Sequence, residues 1–422
     1  MVQIAFIASL LLGSLQGPAP TSTPVPPPTI PSQQGRQVFL LTMDQGDDLW
    51  ELFGHNAILI SDRSTGQKLV WNWGLFSFDA PNFISRFVRG NMLYSMGPSS
   101  FGPFLEAYRD ANRSVYANEV LLTDREAVEL DRLVRDNFEP ENRDYVYDYF
   151  LDNCSTRVRD VINTVLGGAI RDRFGERTSS MSYRWHVRTL LQKATWIDHG
   201  ISVLMGVRGD EPRTEWEAMF SPLETMRLLE DFERDDGLSG RTPLLGARQT
   251  LVRADRPATP SAPPPLSFLW LASGLAIGAL VTTAGWAARK GGRLPRAGLA
   301  AAIGLWGLFS GLLGWVMVIA WFTEHELAHW NINVLLTSPL ALPLSFIVIL
   351  AAARAAWWRG AVGQLAERGA ILIAGLSLIA GALQLTTVVS QQNAEALSLA
   401  LPANLAIAAA LRLAMRDAGP EA

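Results

Sequence analysis

The pattern of hydrophobic and polar positions divides the chain near residue 256. Residues 36–255 carry short apolar clusters between charged ones, whereas 266–415 is dominated by Ala, Leu, Ile, Gly and Val. The second part holds five apolar stretches, near 266–288, 297–322, 334–353, 370–389 and 396–414, each long enough to cross a bilayer. Basic residues follow the first (Arg289, Lys290, Arg293, Arg296), the third (Arg354, Arg359, Arg368) and the fifth (Arg412, Arg416). The positive-inside rule sets these loops in the cytoplasm and residues 36–255 outside, in the periplasm of a Gram-negative cell. In that first part 37–42, 57–61 and 68–73 predict strands, and 102–111, 124–137 and 153–166 predict helices. The expected class is α+β, followed by an all-α membrane bundle.

The ends and joints complete the layout. Residues 1–16 resemble a secretion signal without a basic start or a clear cleavage site, so an uncleaved N-terminal anchor stays open. A Pro-rich spacer follows at 17–35, and 416–422 is left as a cytoplasmic tail. A second Pro-rich stretch, 256–265, joins the first half to the membrane half; at polyproline rise it spans roughly 30 Å and leashes the first half to the bilayer. A net charge of −4, with no Lys/Arg run, excludes the footprint of a nucleic-acid binder. A single cysteine, Cys154, excludes an intrachain disulfide and a multi-cysteine zinc site.

That cysteine opens a helix. Val158, Val161, Ile162, Val165 and Leu166 recur at three-and-four spacing, and Cys154 lies four residues before Val158, in the first turn on the inward face. Asp152 or Asn153 is placed as the N-cap. Unpaired N–H groups and partial positive charge at a helix start favour a thiolate and can hold an oxyanion. A thiol nucleophile also needs a base. Of His55, His186 and His199 in the first part, His55 fits best, because Gly54 allows a tight turn and an apolar strand begins at once. His186 and His199 read as structural, and Tyr147 and Tyr149 as packing residues.

Gly54-His55 opening a strand and Asp152-Asn153-Cys154-Ser155 opening a helix resemble the circularly permuted papain-like folds, in which His precedes Cys, as in lecithin:retinol acyltransferase and relatives of the NlpC hydrolases. Gly54-His55-Asn56-Ala57, Trp71-Asn72-Trp73-Gly74, Pro81-Asn82-Phe83, Pro140-Glu141-Asn142-Arg143 and Asp152-Asn153-Cys154-Ser155-Thr156-Arg157 resemble, more specifically, the periplasmic domain of the Lnb-type lipoprotein N-acyltransferases. The likeness continues through Trp196 to Pro222, and more loosely at His325 and Asn331-x-Asn333-x-Leu335. It implies an inner-membrane enzyme without a metal or other cofactor. Cys154, deprotonated by His55, would take an acyl chain from a phospholipid and pass it to the α-amine of a diacylglyceryl-cysteine lipoprotein. Asn72, with Asp79 as the alternative, would orient His55; Asn153, Arg157, His325, Asn331 and Asn333 are candidate substrate contacts.

Three other readings stay open. The same thiol could serve a membrane-tethered peptidase, amidase or phospholipase, in which water rather than an amine takes the acyl group. His325-Glu326-Leu327-Ala328-His329 matches the HExxH pattern of zinc proteases, which needs both histidines one helical turn apart. Last, Cys154 could be a buried residue of a non-catalytic membrane assembly protein.

Overall fold

The computed structural model describes residues 35–235, 240–386 and 389–415. The expected signal or anchor, the spacer up to residue 34 and the tail from 416 lie outside the described residues. Contacts divide the chain into two compact units: 35–198 with Pro212–Pro263, and His199–Glu211 with 264–415. The segment His199–Glu211, which the sequence reading left with the first half, thus packs with the apolar helices.

The first unit is built on a seven-stranded sheet of β1 (Arg36–Met43), β2 (His55–Asp62), β3 (Lys68–Leu75), β4 (Leu93–Ser100), β5 (Val115–Val120), β6 (Asp144–Val146) and β7 (Gln249–Val252). Their order is β7-β5-β1-β2-β3-β4-β6, with every neighbouring pair antiparallel. Helices α1 (Phe83–Arg89), α2 (Phe101–Asp110), α3 (Asp124–Phe138) and α4 (Cys154–Val165) surround it. On one face Val38, Ile58 and Trp71 pack with Leu130 of α3 and with Val158 and Ile162 of α4. On the other, Leu41, Ala57 and Val70 pack with Phe104 of α2. Val158 and Ile162 are fully buried, and each contributes roughly 1.5–3 kcal/mol through its removal from water. Because both faces are covered, β2 runs Ala-Ile-Leu-Ile instead of alternating.

Four strands of this sheet escape the sequence pattern. β4 contains Gly97 and Pro98, which read as a turn, and β5 contains Asn118, whose amide donates to Glu230 Oε1 (3.0 Å) and to the Gly246 carbonyl (3.1 Å). β6 and β7 are only 3 and 4 residues long, too short for periodicity to show. The Pro-rich linker also differs from a free leash. Arg256 donates to the Gln45 carbonyl (3.0 Å) and pairs with Asp47 (2.9 Å), and Thr259 donates to Asp44 Oδ1, so its first residues are tied to the loop after β1.

In the second unit the described residues hold five helices long and apolar enough to cross a membrane: α5 (Phe268–Arg289), α6 (Arg293–Ala320), a span Asn333–Ala353 that includes α7 (Ala341–Ala353), α8 (Ala361–Leu383) and α9 (Ala394–Met415). Four lie close to the apolar stretches. The fourth starts at 361 rather than 370, which brings Glu367 and Arg368 inside the helix rather than in a preceding loop. Charges this near a helix end can reach the interface along their own stems, so they do not interrupt the helix as they interrupt the pattern. α5 and α9 approach so closely that a Cβ on Gly285 would sit 2.8 Å from that of Ala410, the close backbone approach that small residues allow between helices in lipid.

Candidate active site

Cys154 is the first residue of α4, and Asn153 is its N-cap. Asn153 Oδ1 accepts from the N–H groups of Ser155 (2.8 Å) and Thr156 (2.9 Å), while its amide donates to the carbonyls of Tyr149 (2.7 Å) and Phe220 (2.9 Å). All these bonds are internal, and through them Asn153 holds the helix start. Asn153→Ala removes the cap and leaves buried carbonyls without donors, with an expected loss of about 2–4 kcal/mol. Thermal unfolding of the purified protein would read this as a midpoint lowered by roughly 5–15 °C.

Cys154 is 8% exposed. Burial pushes its thiol up to about 11, while the backbone N–H groups of Asn56, Ser155 and Cys154 and the charge of Arg113 act in the opposite sense. The start of α4 lies against the start of β2, where Ser155 is bonded to Asn56, the residue after His55. Asn56 joins the two elements. On the α4 side of the sheet its Oδ1 lies 2.7 Å from the Ser155 hydroxyl, which is also 2.9 Å from the Met219 carbonyl, and its amide donates to Thr42 Oγ1 (2.9 Å). Pairing of Thr42 with Asn56 and of Met43 with His55 fixes this strand end in register.

His55 is half-buried, and its Nε2 lies 3.3 Å from Asn72 Oδ1 on the adjacent β3. Ala57 and Asn72 are Cα partners, so Asn72 is the diagonal neighbour of His55 on one face of the sheet. With Nε2–H donating to Asn72, the lone pair of the imidazole resides on Nδ1. Burial and, to a lesser extent, the Arg113 charge lower the imidazole to about 4 against the opposing Asn72 bond. At neutral pH the resting pair is thus a neutral imidazole and a neutral thiol. Asp79, the other candidate to orient His55, is exposed in the turn after Ser77.

The remaining sequence candidates fall in two groups. Arg157 lies in the first turns of α4, donates to both carboxylate oxygens of Asp152 through Nε and Nη2 and covers the Tyr145 ring at 4.2 Å. Tyr147 stacks on Tyr94 with centroids 4.1 Å apart, and a Cβ on Gly74 would lie 3.8 Å from both Tyr147 and the Cys154 Cβ, so Tyr147 belongs to the wall of the site. His325, Asn331 and Asn333 are buried in the second unit. The amides of Asn331 (2.8 Å) and Asn333 (2.9 Å) both donate to the Val203 carbonyl, and Gln391 donates to Asn331 Oδ1 (2.8 Å). These asparagines secure the segment His199–Glu211, a structural task. His199 Nδ1 lies 3.0 Å from Glu395 in the same unit, and His186 is buried in the first.

The HExxH residues lack the geometry that the motif needs. Glu326–Ala328 is a single 3-10 turn flanked by the two histidines; Glu326 pairs with Arg208 at 2.9 Å, and His329 Nε2 lies 2.9 Å from the Thr323 carbonyl. Without an α-helix the two imidazoles do not share a face one turn apart. Sequence reasoning missed Asn56, Ser155 and Arg113. The first two are polar residues directly after the candidate base and nucleophile, and that adjacency was the available signal.

Residues 32–193 match the family model described as the Lnb N-terminal periplasmic domain. No curated protein and no solved structure matches the chain. The matched residues include Cys154, His55 and Asn72, and five helices able to cross a membrane follow them. Residues 32–193 are thus similar to the Lnb N-terminal periplasmic domain, and the helices that follow are those of a multi-pass membrane protein.

Proposed function

We propose that the protein is a lipoprotein N-acyltransferase of the bacterial inner membrane. The observation that carries this reading is Cys154 at the first position of α4, whose neighbour Ser155 is bonded to Asn56 beside His55 at the start of β2, within the residues that match the Lnb N-terminal periplasmic domain. As Cys154 attacks the ester carbonyl of a phospholipid, its proton passes to His55 Nδ1, and the N–H groups that face the sulfur are in place for the charge on the tetrahedral carbon's oxygen. The ester C–O bond breaks, the leaving glycerol oxygen takes the proton from His55, and a thioester remains on Cys154. The α-amine of a diacylglyceryl-cysteine then attacks and gives a proton to His55. The C–S bond breaks, the thiol is restored and an amide leaves. Arg157, at the mouth of α4, is the candidate contact for a lipid phosphate or another anionic group.

Intact-mass measurement of the purified protein after incubation with phospholipid tests both steps. The expected result is an increase by one acyl chain that hydroxylamine removes, and its movement to the amine of an added diacylated lipopeptide. An adduct that ends only as free fatty acid makes the protein a lipid hydrolase. Absence of any adduct overturns thiol acylation by lipid.

A further inference from the structure

The site contains a buried cation that neither the sequence motifs nor the proposed chemistry uses. Val115, Met43 and His55 are Cα partners across β5, β1 and β2, and the Ser114 carbonyl accepts from the Asp44 N–H (3.0 Å), continuing the β5–β1 ladder by one step. Arg113 lies one residue further on, two before Val115, and alternation along the strand gives it the His55 face. Its packing agrees: the guanidinium stands over the ring of Tyr108 at 4.8 Å, and Tyr108 packs against the sheet face that includes Ala57 and Val115.

Arg113 is 4% exposed. Nε donates to the Asp44 carbonyl (3.0 Å) and Nη1 to Glu51 Oε1 (2.8 Å). Both acceptors belong to the loop between Met43 and His55, and the Glu51 carbonyl accepts from the Gly54 N–H at 3.0 Å, so the guanidinium fixes the turn that delivers His55. Nη2 is buried and has no hydrogen-bond partner among the described residues. Glu51 supplies a countercharge at Nη1, and the buried Nη2 is left as a donor for a second negative charge.

We propose that Arg113 is a positioning residue of the His55–Cys154 pair: it locks the His55 loop to the end of β5 and holds a buried positive charge, with Nη2 in reserve, for the negative charge that forms at Cys154. The effect on both partners has the sign that this requires, since its charge lowers the Cys154 thiol and the His55 imidazole together. A nearby cation disfavours imidazolium and favours thiolate, so His55 stays available as a base while the thiol becomes easier to deprotonate. The inference rests on Cys154 being the nucleophile, but not on which substrate it attacks.

Cys154 is the sole cysteine, so its alkylation by iodoacetamide can be followed across pH in the full-length protein in detergent. In Arg113→Met the alkylation profile should move to higher pH by about one unit, so that the rate at a given pH below the midpoint falls about tenfold. Arg113→Lys, which keeps the charge, should restore most of the profile while its acyl-transfer kcat stays low. Glu51→Gln, which removes the countercharge and keeps Arg113, should move the profile the other way. A folded Arg113→Met protein with the wild-type profile overturns the inference. If Arg113→Met does not fold, an unmoved profile in Glu51→Gln does so. Alkylation needs no lipid, so its outcome is separate from that of the acyl-transfer experiment.

Discussion

Replacement of Cys154 by Ser is expected to eliminate the acyl adduct and to lower turnover by roughly 10⁴-fold or more, the scale on which loss of one member of a nucleophile–base pair acts. The substitution is nearly isosteric in a site that is 8% exposed, so folding should survive and the loss should be chemical. Serine also keeps the helix start intact, because the capping bonds run from Asn153 to the N–H groups of residues 155 and 156, not through the side chain at 154. A hydroxyl ionises far above a thiol, so at neutral pH serine supplies far less of the attacking anion than cysteine does in the same site. The measurement is lipid-dependent mass increase and amide formation in wild type and Cys154→Ser side by side, with thermal unfolding as the control for folding. A variant that still acylates lipopeptide at a rate close to wild type would remove Cys154 from the chemistry and return it to the role of a small buried side chain.

The parts of this molecule legible in the sequence are those in which one residue type has one physical use. Cys154 four residues before Val158, with Asn153 ahead of it, identified a capped helix and the face on which the thiol sits. Gly54 before an apolar run identified the strand that begins at His55, and the structure gives Gly54 a φ of +77° with the Met43 carbonyl only 2.7 Å from where a Cβ would stand. What escaped depends on partners distant in sequence. Asn118 reads as a turn residue until Glu230 and Gly246 satisfy its amide, and Arg113 reads as a surface charge until Asp44 and Glu51 bury it. Asn331 and Asn333, candidate contacts by resemblance alone, likewise take their surroundings from a distant segment, since both amides donate to the Val203 carbonyl. The segment that supplies this carbonyl, His199–Glu211, is itself bounded by nothing that a sequence pattern detects.

Removal of the base should have a different pH signature from removal of the nucleophile. In the wild type His55 is lowered to about 4 by burial, with Arg113 acting in the same direction, so it is unprotonated and able to accept the thiol proton at all pH values above about 5. Activity should therefore fall only as pH drops through about 4, where the imidazole takes up a proton and can no longer act as a base, and should be level through neutrality. The thiol, pushed to about 11, has on the order of one part in 10⁴ as thiolate at pH 7, so attack at that pH depends on concerted transfer of its proton to His55. In His55→Gln that route is lost, with an expected fall of about 10²–10⁴-fold at pH 7. The residual rate should then follow the thiolate fraction and rise about tenfold per pH unit toward 11, closing on wild type at alkaline pH. Rates of acyl-adduct formation for both proteins across pH 3 to 10 decide the matter. A parallel, pH-independent deficit in His55→Gln would mean that His55 shapes the site without moving the proton. A wild-type acid limb near pH 6.5 would mean that the imidazole retains its ordinary basicity and that the site is wetter than its burial indicates.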